Sequence, residues 1–480
     1  MVPEGIGSWI RRRAVKSRGQ AAVVFRGETT TYDVLADRID RLATALRGRG
    51  IAQGDRVAYL GGNHPAFIET MFAVARLGAI FVPLNTRLAQ PELDFQLSDC
   101  GAALLIDDPE EIEALIAATT RAAEPETFPR VTLDEPFVII YTSGTTGNPK
   151  GAVLTHGNLT WNAFNTIVDY DFAHDSRTLI ISPLFHVAAF GMGCLPTFLK
   201  GATVLLEERF VPGDALATIE RERATIVSGV PTTYQLMMED PAWSTADISS
   251  LRTMTCGGSA VPEKVIAAYA ERGLAFSGGY GMTETSPGIV AMPPWYSAGH
   301  IGSSGLAHFF TEFRIRDTET GALVGSGERG EIEAFGPNVM LGYWGRPEAT
   351  AESFTEDGWF RTGDVGVADE DGFLTIADRV KDMIISGGEN IYSAEVEQAI
   401  AAIAGVTGVA VIGVPNERWG EVPHAVVTLA PEASLDAETM IAFLRERLAG
   451  YKIPRTLEVI HELPRTASGK VQKAKLRRSR

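Results

Sequence analysis

Cysteine is scarce in this sequence. Only three occur in 480 residues, Cys100, Cys194 and Cys256, and no two of them form a Cys-x-x-Cys pair. This number and spacing exclude a disulfide framework and a cysteine-rich zinc site. Unpaired thiols are typical of a reducing compartment, so we expect a cytoplasmic protein.

Basic residues are outnumbered by acidic ones. The chain has 43 Lys and Arg against 60 Asp and Glu, which gives a formal net charge of −17. Nucleic acid and anionic lipid need a basic field, so neither is expected as a partner. An anionic ligand must instead be bound locally, by backbone amides and a few placed cations. Hydrophobic residues make up 45% of the chain, which excludes wholesale disorder.

Uninterrupted apolar segments are also rare. One stretch without formal charge, residues 178–199, is long enough to cross a bilayer, but it contains Ser182, Pro183, His186 and Pro196. We interpret it as a buried strand, a loop and the start of a helix. No transmembrane segment is therefore expected.

What the sequence does contain is a regular alternation of strand-like and helical patterns. Apolar runs at 21–26, 56–60 and 79–84 are separated by helical patterns at 31–48 and 65–77. This alternation predicts βαβ units and mostly parallel sheets, and therefore an α/β fold.

The pattern changes along the chain and predicts its division into domains. A second α/β stretch covers 137–291, and residues 299–376 show the short strands and Gly-rich turns of a β-rich subdomain. The last hundred residues predict a small α+β domain. We therefore predict a large N-terminal domain, 1–380, of stacked α/β subdomains plus a β-rich subdomain, and a small α+β C-terminal domain, 381–480.

The strongest local signal is the segment 141–151, which directly follows a predicted strand. It contains five hydroxyl side chains, three glycines and Lys150 within eleven residues. Glycines let backbone amides approach a ligand, hydroxyls and amides form an anion-binding concavity, and a lysine adds a point charge for phosphate. It is not a Walker loop, because Pro149 precedes Lys150 and Gly151 follows it. We predict a phosphate-binding loop here.

This loop resembles the signature loop of the adenylate-forming superfamily, which includes acyl-CoA synthetases, luciferase-like enzymes and the adenylation domains of peptide synthetases. Five further segments resemble the family's later motifs and follow in the same order, so the resemblance covers nearly the whole chain. They are Ser-Pro-Leu-Phe-His at 182–186, Tyr-Gly-Met-Thr-Glu at 280–284, Phe-Arg-Thr-Gly-Asp at 360–364, Asp-Arg-Val-Lys-Asp at 378–382 and Pro-Arg-Thr-Ala-Ser-Gly-Lys at 464–470. The resemblance is greatest to the AMP-forming acyl-CoA and aryl-CoA synthetases.

The resemblance implies a nucleotide site. It makes Glu284 the Mg²⁺ ligand, Thr283 a phosphate contact, Asp364 the acceptor of the ribose hydroxyls, and Lys470 the cation that stabilises the charge developing during adenylation. From the residues alone, Glu284 would more often be a surface carboxylate, and Lys470 would more often be part of a solvated basic tail. The full set of ATP- and AMP-binding residues implied by the family is Thr142, Ser143, Gly144, Thr145, Thr146, Lys150, Gly257, Gly258, Ser259, Gly279, Tyr280, Gly281, Met282, Thr283, Asp364, Ile376, Arg379 and Lys470.

An acyl pocket is implied beside the nucleotide. His186 borders it as a pocket residue rather than a general base, and it joins Lys470, Thr283 and Glu284 in the predicted catalytic set. The remaining lining is mainly apolar, with no cation for a second carboxylate, which favours a medium-chain fatty or an aromatic acid. These residues are Val187, Phe190, Gly191, Pro231, Thr232, Thr255, Gly279, Met282 and Pro287.

The family's chemistry has two steps. ATP, Mg²⁺ and a carboxylic acid give acyl-AMP and pyrophosphate, and coenzyme A then displaces AMP. Between the steps the small domain rotates, so the C-terminal domain is expected to be mobile. Lys381 aligns with the hinge, although a surface salt bridge is the plain alternative. The loop that would approach the thiol comprises Ser386, Gly387, Gly388 and Glu389.

Other functions stay open at this point. The acyl group could pass to a carrier protein, an amine or another nucleophile instead of coenzyme A. The chain could be a catalytically inactive nucleotide-binding protein, or a luciferase-like oxygenase. Amino-acid activation is disfavoured, because residues 187–191 contain no Asp for a substrate amine.

The Gly-x-Gly-x-x-Gly at 325–330 is interpreted as a turn before a strand, and Ser393 as a helix N-cap.

Overall fold

The structure is a computed structural model that describes residues 4–120, 128–142, 149–257, 261–300, 302–379, 382–386, 389–416, 419–465 and 471–478. Contacts divide the chain into two compact units. The first comprises Met1–Phe313 and Ala334–Phe360, and the second Arg314–Glu333 and Arg361–Arg480. The predicted domain boundary at 380/381 stays a prediction.

Most strands of the first unit are short, as expected for α/β layers. In chain order they are β1 (Ala21–Phe25), β2 (Glu28–Thr31), β3 (Arg56–Leu60), β4 (Ile80–Leu84), β5 (Leu104–Ile106), β6 (Pro136–Thr142), β7 (Lys150–Thr155), β8 (Arg177–Ile180), β9 (Thr203–Leu206), β10 (Ile226–Gly229), β11 (Thr253–Cys256), β12 (Phe276–Tyr280), β13 (Val290–Ala291), β14 (Leu306–Ala307), β15 (Glu312–Arg316), β16 (Arg329–Phe335), β17 (Gly342–Tyr343), β18 (Phe360–Ala368), β19 (Leu374–Arg379), β20 (Ile384–Ser386), β21 (Glu389–Ile391), β22 (Val406–Asn416), β23 (Gly420–Leu429) and β24 (Thr456–Val459).

The helices lie between these strands. They are α1 (Trp9–Lys16), α2 (Tyr32–Gly48), α3 (Pro65–Leu77), α4 (Gln90–Cys100), α5 (Pro109–Ala118), α6 (His156–Asp169), α7 (Leu195–Lys200), α8 (Pro212–Glu222), α9 (Pro231–Glu239), α10 (Glu263–Ala270), α11 (Pro347–Glu352), α12 (Ser393–Ala401), α13 (Ala437–Arg445) and α14 (Lys473–Arg478). A π-helix over Ala188–Cys194 leads into α7.

One sheet of the first unit carries the predicted phosphate loop. Its order among the described residues is β17-β7-β6-β4-β3-β5. The strands β3, β4, β5 and β6 run parallel, and β7 returns antiparallel to β6, with Thr142 opposite Lys150. The loop therefore joins two antiparallel strands at the carboxyl end of β6.

The larger sheet of the first unit has the order β14-β13-β12-β11-β10-β8-β9-β1-β2 in the described chain. Its central strands, from β1 to β12 along the sheet, are parallel. The carboxyl ends of β10, β11 and β12 therefore meet at one edge, where ligands bind in open α/β sheets. An apolar core that includes Phe67 of α3 and Phe81 of β4, with ring centroids 5.0 Å apart, packs against this layer and the first sheet.

The other two sheets among the described residues lie mostly in the second unit. One has the order β15-β16-β18-β19, and the other β21-β20-β23-β22 with β24 beside β23. Helices α12 and α13 contribute Val396 and Met440 to a core with Ile384, Val411 and Ala425 of the second sheet. This is the small α+β arrangement that the sequence predicts.

The α/β fold class is confirmed, with stacked α/β layers, a β-rich sheet and a small α+β part. Residues 178–199 form a strand, a loop, a π-helix and most of α7, which confirms the strand, loop and helix start interpreted from the sequence. Residues 325–328 form a turn, in which Glu328 N donates to Gly325 O at 3.3 Å, and lead into β16 at Arg329, as predicted. Of the helices described, none has the length and apolar character that a membrane crossing requires.

Candidate active site

Several predicted site residues lie outside the described residues. They are Ser143, Gly144, Thr145, Thr146, Gly258, Ser259, Lys381, Gly387, Gly388 and Lys470. The site is therefore built from its described neighbours, within each unit separately.

The predicted metal ligand Glu284 lies at the mouth of the phosphate loop. It belongs to a short 3₁₀ helix, Thr283–Thr285, and only 9% of it is exposed. Its Oε1 accepts hydrogen bonds from Thr142 Oγ1 at 3.3 Å and from the Tyr343 hydroxyl at 3.0 Å. Folding thus brings Glu284 against the end of β6, where the sequence predicts the phosphates of ATP.

Tyr343 is a functional candidate that sequence reasoning missed. It lies on β17, opposite Ala152 of β7, and Lys150 Nζ is 5.1 Å from its ring centroid. Burial, and then the neighbouring Glu284 carboxylate, raise the pKa of the Tyr343 hydroxyl, so it remains a protonated donor at neutral pH. The pairing of β17 with β7 creates this contact, and no local pattern in the sequence marks it.

The chemistry of these donors fits a magnesium ion bound together with a nucleotide. Mg²⁺ takes oxygen ligands and usually combines one or two carboxylates with phosphate oxygens and water. Glu284 supplies one carboxylate, held by hydroxyls. In the described part of the chain no cluster of three or more His, Cys, Asp or Glu could hold an ion by itself.

The two glycines that flank Tyr280, before Glu284, are packed too closely for larger residues. A Cβ on Gly281 would lie 1.5 Å from the carbonyl oxygen of Pro287, and one on Gly279 would lie 2.8 Å from the Tyr170 hydroxyl. Tyr280, predicted to lie against adenine, ends β12 opposite Val290. Both glycines are therefore required by the fold itself, whatever they contact in a ligand.

Two buried asparagines hold the segment that follows Glu284. Asn338 Nδ2 donates to the carbonyls of Thr285 at 2.8 Å and Gly288 at 2.5 Å. Asn162 Oδ1 accepts from Gly288 N at 3.2 Å, and its Nδ2 donates to the Gly191 carbonyl at 3.3 Å. Neither side chain is exposed. These bonds tie the predicted acyl-pocket segments around Gly191 and Pro287 to the Glu284 turn.

A third asparagine anchors the loop that carries His186. Asn63 Nδ2 donates to the carbonyls of Ser182 and Glu207, both at 3.0 Å, and its Oδ1 accepts from Leu184 N at 2.8 Å. His186 is half-buried, with its ring centroid 4.6 Å from that of Phe185. Asn63 was also missed, since an Asn in a Gly-Gly-Asn-His-Pro turn is indistinguishable from an ordinary turn residue.

The other predicted pocket residues occupy different environments. Phe190 is fully buried and packs at 6.4 Å from Phe67 in the core, whereas Thr232 is exposed at the start of α9. Val187, Gly191 and Pro231 are buried, and Thr255, Gly279, Met282 and Pro287 are half-buried. Thr283 and Gly257 are half-buried too. Their roles stay predictions.

In the second unit, the predicted ribose ligand Asp364 is buried on β18 and lies opposite Arg379 of β19. Its backbone N–H donates to Thr362 Oγ1 at 3.1 Å, and that hydroxyl donates to the Ile332 carbonyl at 2.7 Å. Ile376 pairs with Gly366 in the same two strands. The pairing thus places Asp364 directly opposite Arg379, and the Ile376–Gly366 pair lies further along the same two strands.

Ser393 is not the N-cap of α12, contrary to the sequence interpretation. The cap residue is Tyr392, and Asp378 of β19 supplies the capping carboxylate. Its Oδ2 accepts from Ser393 Oγ at 2.7 Å and from Ala394 N at 3.2 Å. A carboxylate distant in sequence therefore takes the place of a local cap.

The basic C-terminal segment is held by ion pairs. Lys473 Nζ lies 2.7 Å from Glu397 Oε1, and Arg477 lies 3.0 Å from Asp382. In the loop predicted to approach the thiol, Ser386 pairs with Glu389 across β20 and β21. The solvated-tail alternative therefore does not describe Lys473 and Arg477.

Comparison with known proteins agrees with this geometry. The profile of the AMP-binding enzyme family matches residues 10–344, and that of the AMP-binding enzyme C-terminal domain matches residues 395–470. A feruloyl-CoA synthase of an Amycolatopsis species is 51% identical over 488 residues, 99% of each chain. An indoleacetate–CoA ligase of Aromatoleum aromaticum is 41% identical, over 98% of this chain and 97% of that one.

A solved structure has the same overall fold. The o-succinylbenzoate coenzyme A synthetase of Bacillus subtilis, in complex with ATP and magnesium ion, superimposes with a TM-score of 0.89 at 33% identity, over 98% of this chain and 99% of that one. The chain belongs to the family of AMP-binding enzymes and, within it, to the acyl-CoA synthetases.

Proposed function

We propose that the protein activates a ring-substituted aromatic acid of the hydroxycinnamate type, ferulate foremost, and converts it to the coenzyme A thioester. The observation that carries the proposal is the full-length 51% identity to a feruloyl-CoA synthase. The 41% identity to an indoleacetate–CoA ligase again concerns an aromatic acid.

The first step is adenylation. The acid's carboxylate attacks the α-phosphorus of ATP and forms a new P–O bond. The bond between the α-phosphorus and the oxygen that bridges the α- and β-phosphates breaks, and pyrophosphate leaves. Lys150 and the hydroxyl of Thr142, paired across β6 and β7, bind phosphate oxygens in this proposal. Lys470 neutralises the charge that develops at the reacting oxygens.

Glu284, oriented by Thr142 and Tyr343, would hold Mg²⁺ with the nucleotide phosphates. The ion would supply charge neutralisation of the phosphoryl oxygens. In the second unit, the Asp364 carboxylate would accept hydrogen bonds from the ribose hydroxyls of the nucleotide.

The second step is thioester formation. The thiolate of coenzyme A attacks the acyl carbon, the new C–S bond forms, and the bond between the acyl carbon and the phosphate oxygen breaks as AMP leaves. We propose that the C-terminal domain, 381–480, turns about Lys381 between the steps, so that residues 386–389 replace Lys470 at the acyl group.

All three cysteines are buried free thiols, which supports a cytoplasmic location, where coenzyme A and ATP are supplied.

The test is a panel of carboxylic acids with ATP, Mg²⁺ and free coenzyme A. We expect ferulate-dependent release of pyrophosphate and formation of feruloyl-CoA, detected by mass spectrometry. Pyrophosphate release without a CoA thioester would contradict the proposed acceptor and favour a carrier protein or an amine. Turnover of aliphatic acids alone would contradict the proposed acid.

A matched variant tests the division between the two steps. Lys470→Ala should lose adenylation by about 10²–10³-fold. It should retain thioesterification of supplied feruloyl-AMP, because the lysine acts only in the first step. Equal loss of both half-reactions would contradict the proposed rotation.

A further inference from the structure

The carboxylate of Asp99 joins two segments of the candidate active site. Its Oδ2 accepts a hydrogen bond from the Tyr141 hydroxyl at 2.8 Å, and its Oδ1 forms an ion pair with the guanidinium of Arg346. Tyr141 directly precedes Thr142 on β6, and Arg346 follows Tyr343 of β17 by three residues. One side chain of α4 therefore anchors both segments whose hydroxyls hold the predicted metal ligand.

Asp99 occupies a position that local helix energetics disfavour. It lies in the last turn of α4, Gln90–Cys100, where the helix dipole favours cations over carboxylates. Only 9% of its side chain is exposed, and a buried carboxylate needs partners to offset its lost hydration. A carboxylate at this point is therefore explained by its contacts outside the helix, with Tyr141 and Arg346.

The two partners of Asp99 lie on strands that flank β7. In the sheet order β17-β7-β6, the strands β17 and β6 are not neighbours, and at about 4.8 Å per strand their axes lie roughly 10 Å apart. β17 is a strand of two residues, Gly342 and Tyr343, at the edge of the described sheet, and its ladder pairs it with β7. The ion pair of Arg346 with Asp99 gives this short edge strand a second attachment, on the side of β6.

The attachment of β17 depends on Asp99 more than that of β6 does. The Tyr141 hydroxyl has a second acceptor in the Gln96 carbonyl, at 3.2 Å. Arg346 Nη1 also donates at 3.2 Å, but to the carbonyl of Gly345, its own neighbour in the chain, so this bond ties the guanidinium to no other element. Loss of the Asp99 carboxylate therefore releases mainly the β17 side.

We propose that Asp99 is a positioning residue for Glu284, which it serves by fixing β6 and β17 at the spacing that their hydroxyl donors require. The inference rests on the proposed function, in which Glu284 holds Mg²⁺ with the nucleotide. Without Asp99, the Tyr343 hydroxyl no longer keeps its place 3.0 Å from Glu284 Oε1. The carboxylate is then less precisely oriented, and a poorly oriented ligand binds its metal more weakly.

The experiment measures equilibrium binding of ATP by calorimetry, without the acid, at a series of Mg²⁺ concentrations. No turnover is involved, and the stoichiometry of each titration reports the fraction of folded protein. The readout is the Mg²⁺ requirement, defined as the Mg²⁺ concentration at which the ATP affinity reaches half of its maximum.

Asp99→Asn keeps the shape of the side chain but turns one acceptor oxygen into a donor, so it cannot accept from both Tyr141 and Arg346. We expect the Mg²⁺ requirement to rise about fivefold. This is less than the about 10- to 100-fold typical of a group that contacts a metal ligand directly, because Asp99 acts through the donors. Arg346→Gln removes the same ion pair from the partner whose side chain is 42% exposed, and should reproduce the rise even if Asp99→Asn does not fold.

Asp94→Asn is the matched control. Asp94 lies on the same helix but is exposed, and its Oδ1 accepts from Gln90 Nε2 at 2.7 Å. The control should leave the Mg²⁺ requirement within about twofold of the parent enzyme. A parent-like requirement in folded Asp99→Asn or in Arg346→Gln, or an equal rise in the control, would overturn the assignment.

A double variant tests the route through Tyr343. If Asp99 acts through this hydroxyl, adding Asp99→Asn to Tyr343→Phe should raise the Mg²⁺ requirement by less than about twofold, because the contact that Asp99 protects is already lost. A further rise of about fivefold would show that the two residues act independently, and the proposed route would be wrong.

The outcomes also separate this inference from the proposed function. If the ATP affinity of the parent enzyme does not depend on Mg²⁺, the proposed role of Glu284 is wrong and this inference is overturned with it. If the parent depends on Mg²⁺, Glu284→Gln abolishes that dependence and Asp99→Asn behaves like the parent, only the role of Asp99 is overturned.

Discussion

The Tyr343 hydroxyl offers a sharp test of how Glu284 is held. It donates to Glu284 Oε1 at 3.0 Å, while the second donor, Thr142, is more distant at 3.3 Å and also lies 3.4 Å from the Lys150 carbonyl oxygen. Tyr343→Phe removes the shorter bond alone. The ring remains, so the packing of Lys150 Nζ over it, 5.1 Å from the centroid, is retained.

The expected size of the effect follows from burial and charge. Only 9% of Glu284 is exposed, so little water replaces the lost donor. A hydrogen bond to a charged group contributes about 1.5–3 kcal/mol, and loss of a residue that orients a metal ligand typically costs about 10- to 100-fold in metal affinity or activity. We therefore expect the Mg²⁺ concentration for half-maximal pyrophosphate release to rise at least about tenfold.

The assay is ATP- and acid-dependent pyrophosphate release at varied Mg²⁺. Tyr451→Phe is a matched control, because this tyrosine also has a lysine over its ring, Lys452 Nζ at 5.9 Å, but is 44% exposed. Glu284→Gln should abolish activity at every Mg²⁺ concentration. If Tyr343→Phe shows the parent's Mg²⁺ dependence while Glu284→Gln is inactive, the hydroxyl does not position the carboxylate.

Two further predictions concern the surroundings of the site. Asn63→Ala removes the hydrogen bonds to Ser182 and Leu184. In steady-state kinetics we expect the KM for the acid to rise about tenfold and the KM for ATP to stay within about twofold of the parent. Equal changes in both constants would contradict a local role of Asn63. Burial lowers the pKa of His156 from 6.5 to about 4. Between these pH values the unfolded chain binds a proton at His156, whereas the folded protein does not. The free energy of unfolding therefore decreases as the pH falls from 6.5 towards 4. Urea unfolding should show that loss, about 3 kcal/mol, in the parent protein but not in His156→Gln, and equal pH slopes would refute it.

Local patterns were sufficient for much of the fold. The helix Pro65–Leu77 begins with Pro at its first turn and ends at Gly78, which adopts a left-handed conformation (φ 67°), so both boundaries could be predicted. The strand before the phosphate loop was predicted in the same way, from an apolar run followed by glycines and hydroxyls. These signals lie within about fifteen residues, where sequence and structure are directly coupled.

The supports of the site could not be predicted, because they depend on pairings between distant segments. Tyr343 reaches Glu284 only after β17 pairs with β7, and Asn338 reaches Thr285 only after both segments are buried. An asparagine or tyrosine has the same local pattern whether it faces water or a buried carbonyl. Asp378 shows how a distant residue can also replace a predicted local contact. Its carboxylate caps α12, the position that the sequence assigned to Ser393.

The negative net charge and the surroundings of Glu284 together explain why a metal requirement is expected. The donors to this buried carboxylate in the described chain are two hydroxyls, Thr142 and Tyr343, and no lysine or arginine forms an ion pair with it there. A polyphosphate placed beside it would meet like charge in a site with little water, where repulsion is stronger than in bulk solvent. Lys150, with one positive charge, offsets only part of this. We therefore predict that the nucleotide binds together with a cation, and that removal of Mg²⁺ weakens ATP binding to the parent enzyme. Without Mg²⁺, Glu284→Gln should bind ATP more tightly than the parent enzyme does.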